Sequence, residues 1–289
     1  MEAVQPVVIT STNEDYVLPL SVMLHTLQDT LTRNTKVKVY VLQHRLSEAS
    51  QNLIHQIINP SLISLAFVEV EDHMLRPLKI DGHISIETYY RLLVEKLFPF
   101  LDKVIYLDAD LVINSSISQL WNYEFADALL LAVPHASKES GYASGARGLP
   151  SHLIIGIPAQ TRLFNAGVMV INLAKWRKFD VSNRIISYLH KYKEYVLWWD
   201  QDGLNAILYN KWRALPPTWN VMTSHLALFS SFSDSLLNAH EFETVLADPD
   251  IIHYSGPVKP WMPHYNGAFA DVFNGIASTF TSYRCETIR

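Results

Sequence analysis

The sequence predicts an α/β fold in which helices cover both faces of a parallel sheet. The first indication is the uninterrupted apolar segment Val104–Leu107, which is typical of a strand buried on both faces. The second is the alternation of strand, helix, strand, helix and strand between residues 7 and 70, which favours parallel strands joined by helical crossovers. With 49% hydrophobic and 18% charged residues, the 289-residue chain also has the composition of a folded protein with a substantial core.

The individual elements follow from apolar periodicity and from residues that begin or end helices. The predicted strands cover residues 7–9, 36–41, 62–70, 104–107, 128–133, 164–173 and 251–253. Helices are predicted over residues 86–98 and 181–195 and from Pro19, Ser47 (as an N-cap) and Leu204 onward. Residues 134–163 contain several glycines and prolines and are expected to form a long functional loop. Residues 222–250 are helical or mixed in pattern, and no strong signal follows residue 263.

Charge, cysteine content and hydropathy exclude several classes of protein. A net charge of −5 argues against a nucleic-acid partner, because phosphate binding requires a basic face. The single cysteine, Cys285, excludes an internal disulfide framework and a cysteine-based zinc site. The first residues lack the pattern of a signal peptide, and no apolar segment approaches the roughly 18 residues of a membrane span. A cytoplasmic location is expected.

Two carboxylates follow the buried strand directly. Asp108 and Asp110 are two positions apart, so on an extended backbone their side chains point the same way and can share one target. Paired carboxylates at the carboxyl end of a strand are suited to a divalent cation. Alternatively, Asp110 caps a turn and Asp108 pairs with an arginine. Arg91 could pair with the two carboxylates or with a ligand phosphate, or could be a solvated surface residue.

Two later segments carry further candidate residues. Asp200 and Asp202 follow a pair of tryptophans, an arrangement that can hold a sugar, although either residue could simply be a helix N-cap. Near the end of the last predicted strand, His253 precedes Gly256 and Lys259. A metal ligand and a phosphate counter-charge could lie together there, although a single histidine at a strand end is more often structural.

Five sequence blocks in a fixed order resemble glycosyltransferase family 8, which includes lipooligosaccharide α-galactosyltransferases and glycogenin. The blocks are Tyr90-Arg-Leu, Leu107-Asp-Ala-Asp110, Phe164-Asn-Ala-Gly167, Trp199-Asp-Gln-Asp202 and His253-Tyr-Ser-Gly-Pro-Val-Lys-Pro-Trp261. A single Asp-x-Asp motif is weak, but five ordered blocks ending in the histidine block are specific. The resemblance spans roughly residues 5–265.

The resemblance implies a GT-A fold, a single α/β domain with a Rossmann-like mixed central sheet flanked by helices. The domain is expected to cover residues 1–265, with the nucleotide-sugar part at about 1–115, the acceptor part at about 116–265, and a C-terminal tail at 266–289. The expected donor is UDP-glucose or UDP-galactose. The expected metal is Mn²⁺, with Mg²⁺ as the other possibility, and its implied ligands are Asp108, Asp110 and His253. One imidazole beside carboxylates suits Mn²⁺ better than Mg²⁺.

The same resemblance implies roles for the remaining candidate residues. Those implied to contact the nucleotide sugar are Ser11, Asn13, Tyr16, Arg91, Asp108, Ala109, Asp110, Asn165, Ala166, Asp200, Gln201, His253, Gly256 and Lys259. Among these, Tyr16 would stack on uracil, and Lys259 would approach the diphosphate as a point charge. Asn13 stands where the galactosyltransferases carry Asp, whereas glycogenin is similar to this chain here, with an arrangement like that of Thr12 to Tyr16. Galactose is therefore no more expected than glucose.

The family transfers sugars with retention at the anomeric carbon. Gln201 matches the position where a double displacement would need a nucleophile, and an amide is a poor one. A front-face mechanism is therefore expected, with Gln201 stabilising developing positive charge and Asp200 orienting sugar hydroxyls. The expected partners are a UDP-sugar and a glycan or glycosylated-protein acceptor, joined by an α linkage.

Two other functions remain open at this level. One is a catalytically silent protein that binds a sugar nucleotide or a glycan. The other is a phosphohydrolase of the haloacid-dehalogenase type, although that class places its Asp-x-Asp on the first strand. A tail over residues 278–289 with two aromatic and two arginine side chains would be at best a weak peripheral membrane contact.

Overall fold

The computed structural model describes residues 5–32, 35–71, 73–82, 84–229 and 232–280. The strands in this part of the chain are β1 (Val7–Ser11), β2 (Val37–Gln43), β3 (Ile63–Glu69), β4 (Lys103–Leu107), β5 (Leu111–Ile113), β6 (Leu130–Pro134), β7 (Phe164–Asn172), β8 (Trp212–Ala214), β9 (Val221–Met222) and β10 (Ile251–His253). Each predicted strand is present, with boundaries shifted by a few residues.

Helices connect most of these strands. The α-helices are α1 (Val17–Asp29), α2 (Glu48–Ile57), α3 (Val94–Leu97), α4 (Ile117–Asn122), α5 (Leu173–Lys178), α6 (Val181–Lys191), α7 (Trp199–Leu208), α8 (Thr223–Leu226), α9 (Ala239–Ala247) and α10 (Ala270–Ala277). Short 3-10 helices cover Glu14–Tyr16, Ile86–Leu93, Lys193–Tyr195, Pro217–Asn220 and Phe232–Asp234. Helix α2 begins as predicted, because the side chain of Ser47 accepts a hydrogen bond from the backbone N–H of Ser50.

The central sheet contains seven strands in the order β3-β2-β1-β4-β7-β6-β8. Strands β3, β2, β1 and β4 are parallel to one another, whereas β7 is antiparallel to both β4 and β6. The sheet is therefore mixed, as the family resemblance implies, and is not wholly parallel. A second sheet of three strands, in the order β5-β10-β9, lies beyond the end of β4.

Neighbouring strands of the central sheet have their ends at one edge, which we call the gathered edge. Strands β1 and β4 end at this edge because they are parallel. The antiparallel strand β7 begins there, since Leu107 at the end of β4 pairs with Val168. Strand β6 ends there, since Pro134 pairs with Phe164. Loops from four adjacent strands therefore meet in the order β1, β4, β7 and β6.

The core confirms that β4 is buried on both faces. Val104 and Tyr106 belong to one hydrophobic cluster, whereas Ile105 and Leu107 belong to a second cluster on the opposite face. All four side chains are fully buried. A smaller third cluster contains Phe273 of α10, a helix for which the sequence carried no strong signal.

The segment predicted as one helix over residues 86–98 differs from the prediction. Residues 86–93 form a 3-10 helix, and only residues 94–97 are α-helical. The five consecutive side chains Tyr89, Tyr90, Arg91, Leu92 and Leu93 are all buried. An amphipathic α-helix would bury one face only. Packing against β1, β2, α6 and α7 on several sides therefore outweighs the apolar periodicity.

Two helix starts were also predicted too late. Helix α1 begins at Val17, with Pro19 still inside its first turn, where proline is tolerated. Helix α7 begins at Trp199, five residues before the predicted start at Leu204. Asp200 and Asp202 are consequently first-turn residues, and the N-cap of α7 is Trp198.

The long loop and the chain ends complete the description. Residues 135–163, all of which the structure describes, form no helix and no strand apart from isolated bridges. Within the described residues, none of the helices combines the length and apolar character needed to cross a membrane. Three features considered from the sequence lie outside the described residues. They are Cys285, the first four positions of the segment considered for a signal peptide, and positions 281–289 of the tail considered for a membrane contact.

Candidate functional site

The residues implied to contact the nucleotide sugar all line one pocket at the gathered edge of the central sheet. The pocket has a volume of about 350 Å³. The lining candidates are Ser11, Asn13, Tyr16, Arg91, Asp108, Ala109, Asp110, Asn165, Ala166, Asp200, Gln201, His253, Gly256 and Lys259. They come from segments up to 248 positions apart, from residue 11 to residue 259, and the fold brings them together.

Asp108, Asp110 and His253 form a group that could hold a metal ion. One ligand atom of each lies within 4.8 Å of the others. Nε2 of His253 is 3.7 Å from Oδ2 of Asp108 and 3.4 Å from Oδ1 of Asp110. The backbone explains this proximity, because β10 pairs with β5 and sets His253 opposite Leu111, directly after the two carboxylates.

The hydrogen bonds around His253 suit a metal ligand. Its Nδ1 is 2.9 Å from Oδ1 of Asn220, an acceptor, so Nδ1 carries a hydrogen and Nε2 is the nitrogen that faces the two carboxylates. The amide group of Asn220 is held in this orientation because its Nδ2 donates to Oδ1 of Asn165 at 2.8 Å. When the ring is neutral, Nε2 would present its lone pair to a divalent cation that the two carboxylates could also bind.

Gly167 permits the close approach of these ligands. An added Cβ atom would lie 2.4 Å from Cε1 of His253 and 2.8 Å from Oδ2 of Asp108. The absence of a side chain therefore leaves the space in which the metal-binding group is assembled.

Arg91 is a buried partner of the carboxylates and not a solvated surface residue. It is 5% exposed, and its Nη2 donates to Oδ1 of Asp108 at 2.7 Å. Its Nε lies 3.1 Å from Oδ2 of Asp200, and its Nη1 donates to the backbone oxygen of Ala166 at 2.6 Å. The arginine therefore ties the end of β4 to the start of β7 and to α7.

Lys259 is paired with Asp110 in this structure. Its Nζ donates to Oδ2 of Asp110 at 2.5 Å and to the backbone oxygen of Tyr254 at 2.8 Å. Burial alone would raise the pKa of Asp110, but Lys259 and His253 lower it well below the usual range. Asp110 is therefore an anion paired with a lysine, not the cap of a turn.

The first turn of α7 faces the start of β7. Oε1 of Gln201 accepts from Nδ2 of Asn165 at 3.0 Å and from the backbone N–H of Ala166 at 3.3 Å. Burial raises the pKa of the neighbouring Asp200 to about 6, although Arg91 lowers it. Gln201 is thus held at a defined place beside the carboxylates.

Asp202 does not line the pocket but holds the turn that carries Gln201. Its Oδ2 accepts from the backbone N–H groups of Leu197 and Trp198 at 2.7 and 3.0 Å. Burial raises the pKa of Asp202 to about 7, although these two N–H groups lower it. The carboxyl group therefore binds its proton more tightly in the folded chain than in the unfolded chain.

Asp202→Asn is expected to flatten the pH dependence of stability. A raised carboxyl pKa contributes stability that is fully present below the unfolded value of 3.8 and is lost as the pH rises through about 7. Asparagine has no proton to lose, and its amide oxygen can accept the same two hydrogen bonds. Urea unfolding at about pH 5 and about pH 8 should show that the variant loses less stability between these pH values than the wild type does, by up to about 3 kcal/mol.

The matched control for this prediction is Asp102→Asn. The side chain of Asp102 is 83% exposed and pairs with Arg177 on the surface. Its free energy of unfolding should change by less than about 1 kcal/mol at either pH. An Asp202→Asn variant whose stability falls with pH as steeply as that of the wild type would contradict the assignment.

The residues expected to hold a nucleobase lie at and after the end of β1, which β4 separates from β7 in the sheet. Nδ2 of Asn13 donates to Oγ of Ser85 and to Oε2 of Glu87, both at 3.3 Å. The ring of Tyr16 packs edge-on against Trp261, with centroids 5.5 Å apart. Ser85 and Glu87 were not predicted as site residues, because they precede the Tyr90-Arg-Leu block and belong to no motif themselves.

Several other lining residues were also missed from the sequence. They come from the long loop, from the residue before α7, and from α8 and the turn after it, and they are His135, Ser140, Arg147, Trp198, His225 and Leu228. For His135 a signal existed, because a polar residue two positions after a predicted strand lies near the same edge as the carboxylates. His225 and Asn220 lie in segments with no interpretable pattern.

The comparisons with known proteins agree with this geometry. Residues 7–264 match the family model described as glycosyl transferase family 8. The chain is 24% identical over 270 residues to general stress protein A of Bacillus subtilis, covering 92% of this chain and 91% of that protein. It is 29% identical over 203 residues to a lipopolysaccharide 1,3-galactosyltransferase of Salmonella typhimurium, covering 69% of this chain and 56% of that enzyme.

Solved structures extend the similarity to the fold. The galactosyltransferase LgtC, solved in complex with donor and acceptor sugar analogs, superimposes with a TM-score of 0.80 at 25% sequence identity. The match covers 95% of this chain and 96% of LgtC. The seven-stranded mixed sheet flanked by helices is thus a GT-A fold. Because the family model spans nearly the whole chain, this protein belongs to glycosyl transferase family 8.

Proposed function

We propose that this protein is a retaining, metal-dependent hexosyltransferase that moves glucose or galactose from a UDP-sugar to a glycan or glycosylated protein. The observation that carries the proposal is the group formed by Asp108, Asp110 and His253, in which Nε2 of the histidine faces the two carboxylates. Two carboxylates and one neutral imidazole around an open pocket fit Mn²⁺, and Mg²⁺ is the second choice.

The pocket supports a defined order for the donor. Ser11, Asn13 and Tyr16 at the end of β1 would hold the uridine, as family membership suggests. The diphosphate would lie beside Asp108 and Asp110, where a bound divalent cation would neutralise charge on the leaving group. Asn165, Ala166, Asp200 and Gln201, at the start of β7 and α7, would then surround the hexose.

The two buried cationic side chains, Arg91 and Lys259, would balance the negative charge of the diphosphate when the donor binds. Arg91 pairs with Asp108 and Asp200 and fixes their positions. The ammonium group of Lys259 contacts Asp110. Because this group has three donors on a flexible stem, it could also donate to a phosphate oxygen of the donor. Gly256, with φ of 95°, lets the backbone turn beside this lysine.

The proposed transfer takes place on one face of the sugar. The bond between the anomeric carbon and the leaving diphosphate oxygen breaks, and a bond from the same face to the acceptor hydroxyl oxygen forms. The proton of that hydroxyl passes to the departing phosphate oxygen. Gln201 would stabilise the positive charge that develops at the anomeric carbon, and Asp200 would orient hydroxyls of the transferred hexose. The product is an α linkage.

Gln201→Ala is expected to lower the rate of transfer by about 10²-fold, the scale of one lost oriented dipole at a reacting centre. The loss should appear in kcat more than in KM, since the charge that Gln201 stabilises exists only in the transition state. Steady-state kinetics on the donor that the protein accepts would measure this. A near-normal kcat would remove Gln201 from the mechanism.

The proposal as a whole is tested by UDP release from a set of UDP-sugars with Mn²⁺ and without an acceptor. The expected result is slow release from UDP-glucose or UDP-galactose, because water can replace the acceptor hydroxyl. Release from one of these donors names the transferred sugar. If UDP binds to the protein but no donor is turned over with or without a glycan, the protein is a silent sugar-nucleotide binder instead.

A further inference from the structure

Tyr106 lies beneath the pocket and contacts two residues that line it. It belongs to β4, is fully buried and does not itself line the pocket. Its hydroxyl oxygen is 2.9 Å from Oγ of Ser11. Its ring lies under the guanidinium group of Arg91, whose Cζ is 4.5 Å from the ring centroid. One buried side chain therefore contacts a residue of the proposed uridine site and the arginine that pairs with the carboxylates.

The register of β1 and β4 brings Tyr106 to this place. Tyr106 pairs with Ile9 in the neighbouring parallel strand, so both side chains point to the same face of the sheet. Ser11 is two positions after Ile9 on β1 and points to that face as well. Arg91 belongs to the 3-10 helix Ile86–Leu93, which packs against β1 and shares the hydrophobic cluster of Tyr106. The fold thus places Ser11 and Arg91 around one ring.

The hydrogen bond between Tyr106 and Ser11 has a definite direction. Burial raises the pKa of Tyr106, so the phenol keeps its hydrogen. Within the described residues, Ser11 is the one hydrogen-bond partner of this hydroxyl, and a buried hydroxyl hydrogen without an acceptor is costly. The phenol therefore donates to Oγ of Ser11. Ser11 is partly exposed and lines the pocket, so its own hydrogen is left for a bound molecule.

Asn13, the other short polar side chain expected to contact uridine, differs in this respect. Its Oδ1 accepts from the backbone N–H of Asp15 at 3.1 Å, and its Nδ2 donates to Ser85 and Glu87. Both ends of this amide are already engaged. Of these two side chains, Ser11 is the one whose hydrogen is available to a ligand, and Tyr106 sets its direction.

Tyr106 also supports the face of the Arg91 guanidinium. The hydrogen bonds of Arg91 to Asp108, Asp200 and the backbone oxygen of Ala166 all come from its N–H groups, which lie in the guanidinium plane. The ring of Tyr106 covers the face of that plane instead. Cation–π attraction is strongest when both groups are removed from water, as they are here. The ring therefore resists tilting of the guanidinium away from the carboxylates.

We propose that Tyr106 is a positioning residue for the transfer reaction, acting on the nucleoside through Ser11 and on the diphosphate and hexose through Arg91. Its phenol directs the hydroxyl hydrogen of Ser11 to an acceptor oxygen of the uridine. Its ring fixes the guanidinium of Arg91 beside the carboxylates. The inference rests on the proposed function. Because the hydroxyl and the ring act on different residues, their effects can be removed separately.

Tyr106→Phe removes the hydroxyl and leaves a ring under Arg91. The dissociation constant of UDP, measured by calorimetry with Mn²⁺, should rise about threefold to tenfold, the scale of one neutral hydrogen bond. KM for the accepted UDP-sugar should rise with it. The kcat of UDP release should change little, because a contact with the nucleoside is equally present in the ground state and in the transition state.

Tyr106→Leu removes the ring as well. Arg91 then loses the surface that supports its face, and kcat should fall by about tenfold or more, since a displacement of about 1 Å near a reacting centre costs up to about 10²-fold. Thermal unfolding shows whether this variant is folded. A folded Tyr106→Leu protein with the kcat of Tyr106→Phe would contradict the role of the ring.

A double-mutant cycle separates positioning from a general structural role. Ser11→Ala should weaken UDP binding at least as much as Tyr106→Phe does, and adding Tyr106→Phe to Ser11→Ala should weaken it no further, because Tyr106 acts through Ser11. The matched control is Tyr188→Phe. It removes a bond of the same kind, 2.6 Å long, to Ser151, and neither residue lines the pocket. UDP binding and kcat of this control should equal those of the wild type.

The outcomes separate the inference from the proposed function. A wild-type protein that binds no UDP contradicts the proposed function. When the wild type binds UDP, three results each contradict only the role of Tyr106. They are wild-type affinity in Tyr106→Phe, additive losses in the double variant with Ser11→Ala, and an equal loss in Tyr188→Phe.

Discussion

Asp108→Asn is expected to reduce turnover of the UDP-sugar by at least about 10³-fold, the several kcal/mol by which a bound metal lowers such a barrier. The substitution keeps the shape of the side chain but removes one of the two negative charges beside Nε2 of His253. It also removes the charge that pairs with Arg91 at 2.7 Å. Metal affinity and the placement of the arginine are lost together. The measurement is UDP release at saturating Mn²⁺.

The variant must be shown to fold. Arg91 keeps Asp200 as a partner in Asp108→Asn, so the buried guanidinium is not left without a counter-charge. Thermal unfolding should therefore show a protein that is destabilised but cooperative. The surface variant Asp102→Asn again serves as the control with normal turnover. A folded Asp108→Asn variant with more than a tenth of wild-type turnover would contradict the role of this carboxylate.

Gly167→Ala is expected to abolish most activity by a different route. The new Cβ would lie 2.4 Å from Cε1 of His253, which is buried and fixed by Asn220, and 2.8 Å from Oδ2 of Asp108. One or both ligands must move, and a displacement of about 1 Å at a reacting centre costs about 10²-fold in rate. Stability should fall by about 1–3 kcal/mol, the typical cost of overpacking.

Gly275→Ala is the matched control for this substitution. Gly275 lies within α10, and in the described part of the chain no atom beyond its neighbours and its own helix backbone is within 4 Å of an added Cβ. Alanine there should leave turnover unchanged and stabilise the helix by up to about 1 kcal/mol. Calorimetry with Mn²⁺ should show that metal binding by Gly167→Ala weakens in parallel with its turnover. Wild-type metal affinity in Gly167→Ala would show that the space beside His253 is not needed.

The sequence predicted the features that depend on local pattern. The buried segment before Asp108 is a strand with two hydrophobic faces, and the first five elements alternate as expected. Only the family resemblance predicted that His253 lies beside the two carboxylates. It depends on the pairing of β10 with β5 across more than 130 residues, which no local pattern encodes.

Other features depend on tertiary packing and were missed for that reason. Residues 86–93 have helical periodicity but adopt a 3-10 helix because neighbours on several sides bury consecutive side chains. Asn220 fixes the hydrogen on His253 from a segment whose prolines indicate only an irregular backbone. The bond between His135 and His225 joins residues 90 positions apart, and each histidine alone resembles an ordinary core residue.

The dependence of UDP release on divalent metal tests the central claim most directly. Wild-type protein treated with EDTA should release no UDP from its donor, and added Mn²⁺ should restore release more fully than added Mg²⁺, since the site combines one imidazole with carboxylates. The same titration on Asp108→Asn should show little recovery at any metal concentration. Equal UDP release in EDTA and in Mn²⁺ would contradict the assignment of Asp108, Asp110 and His253 as a metal site.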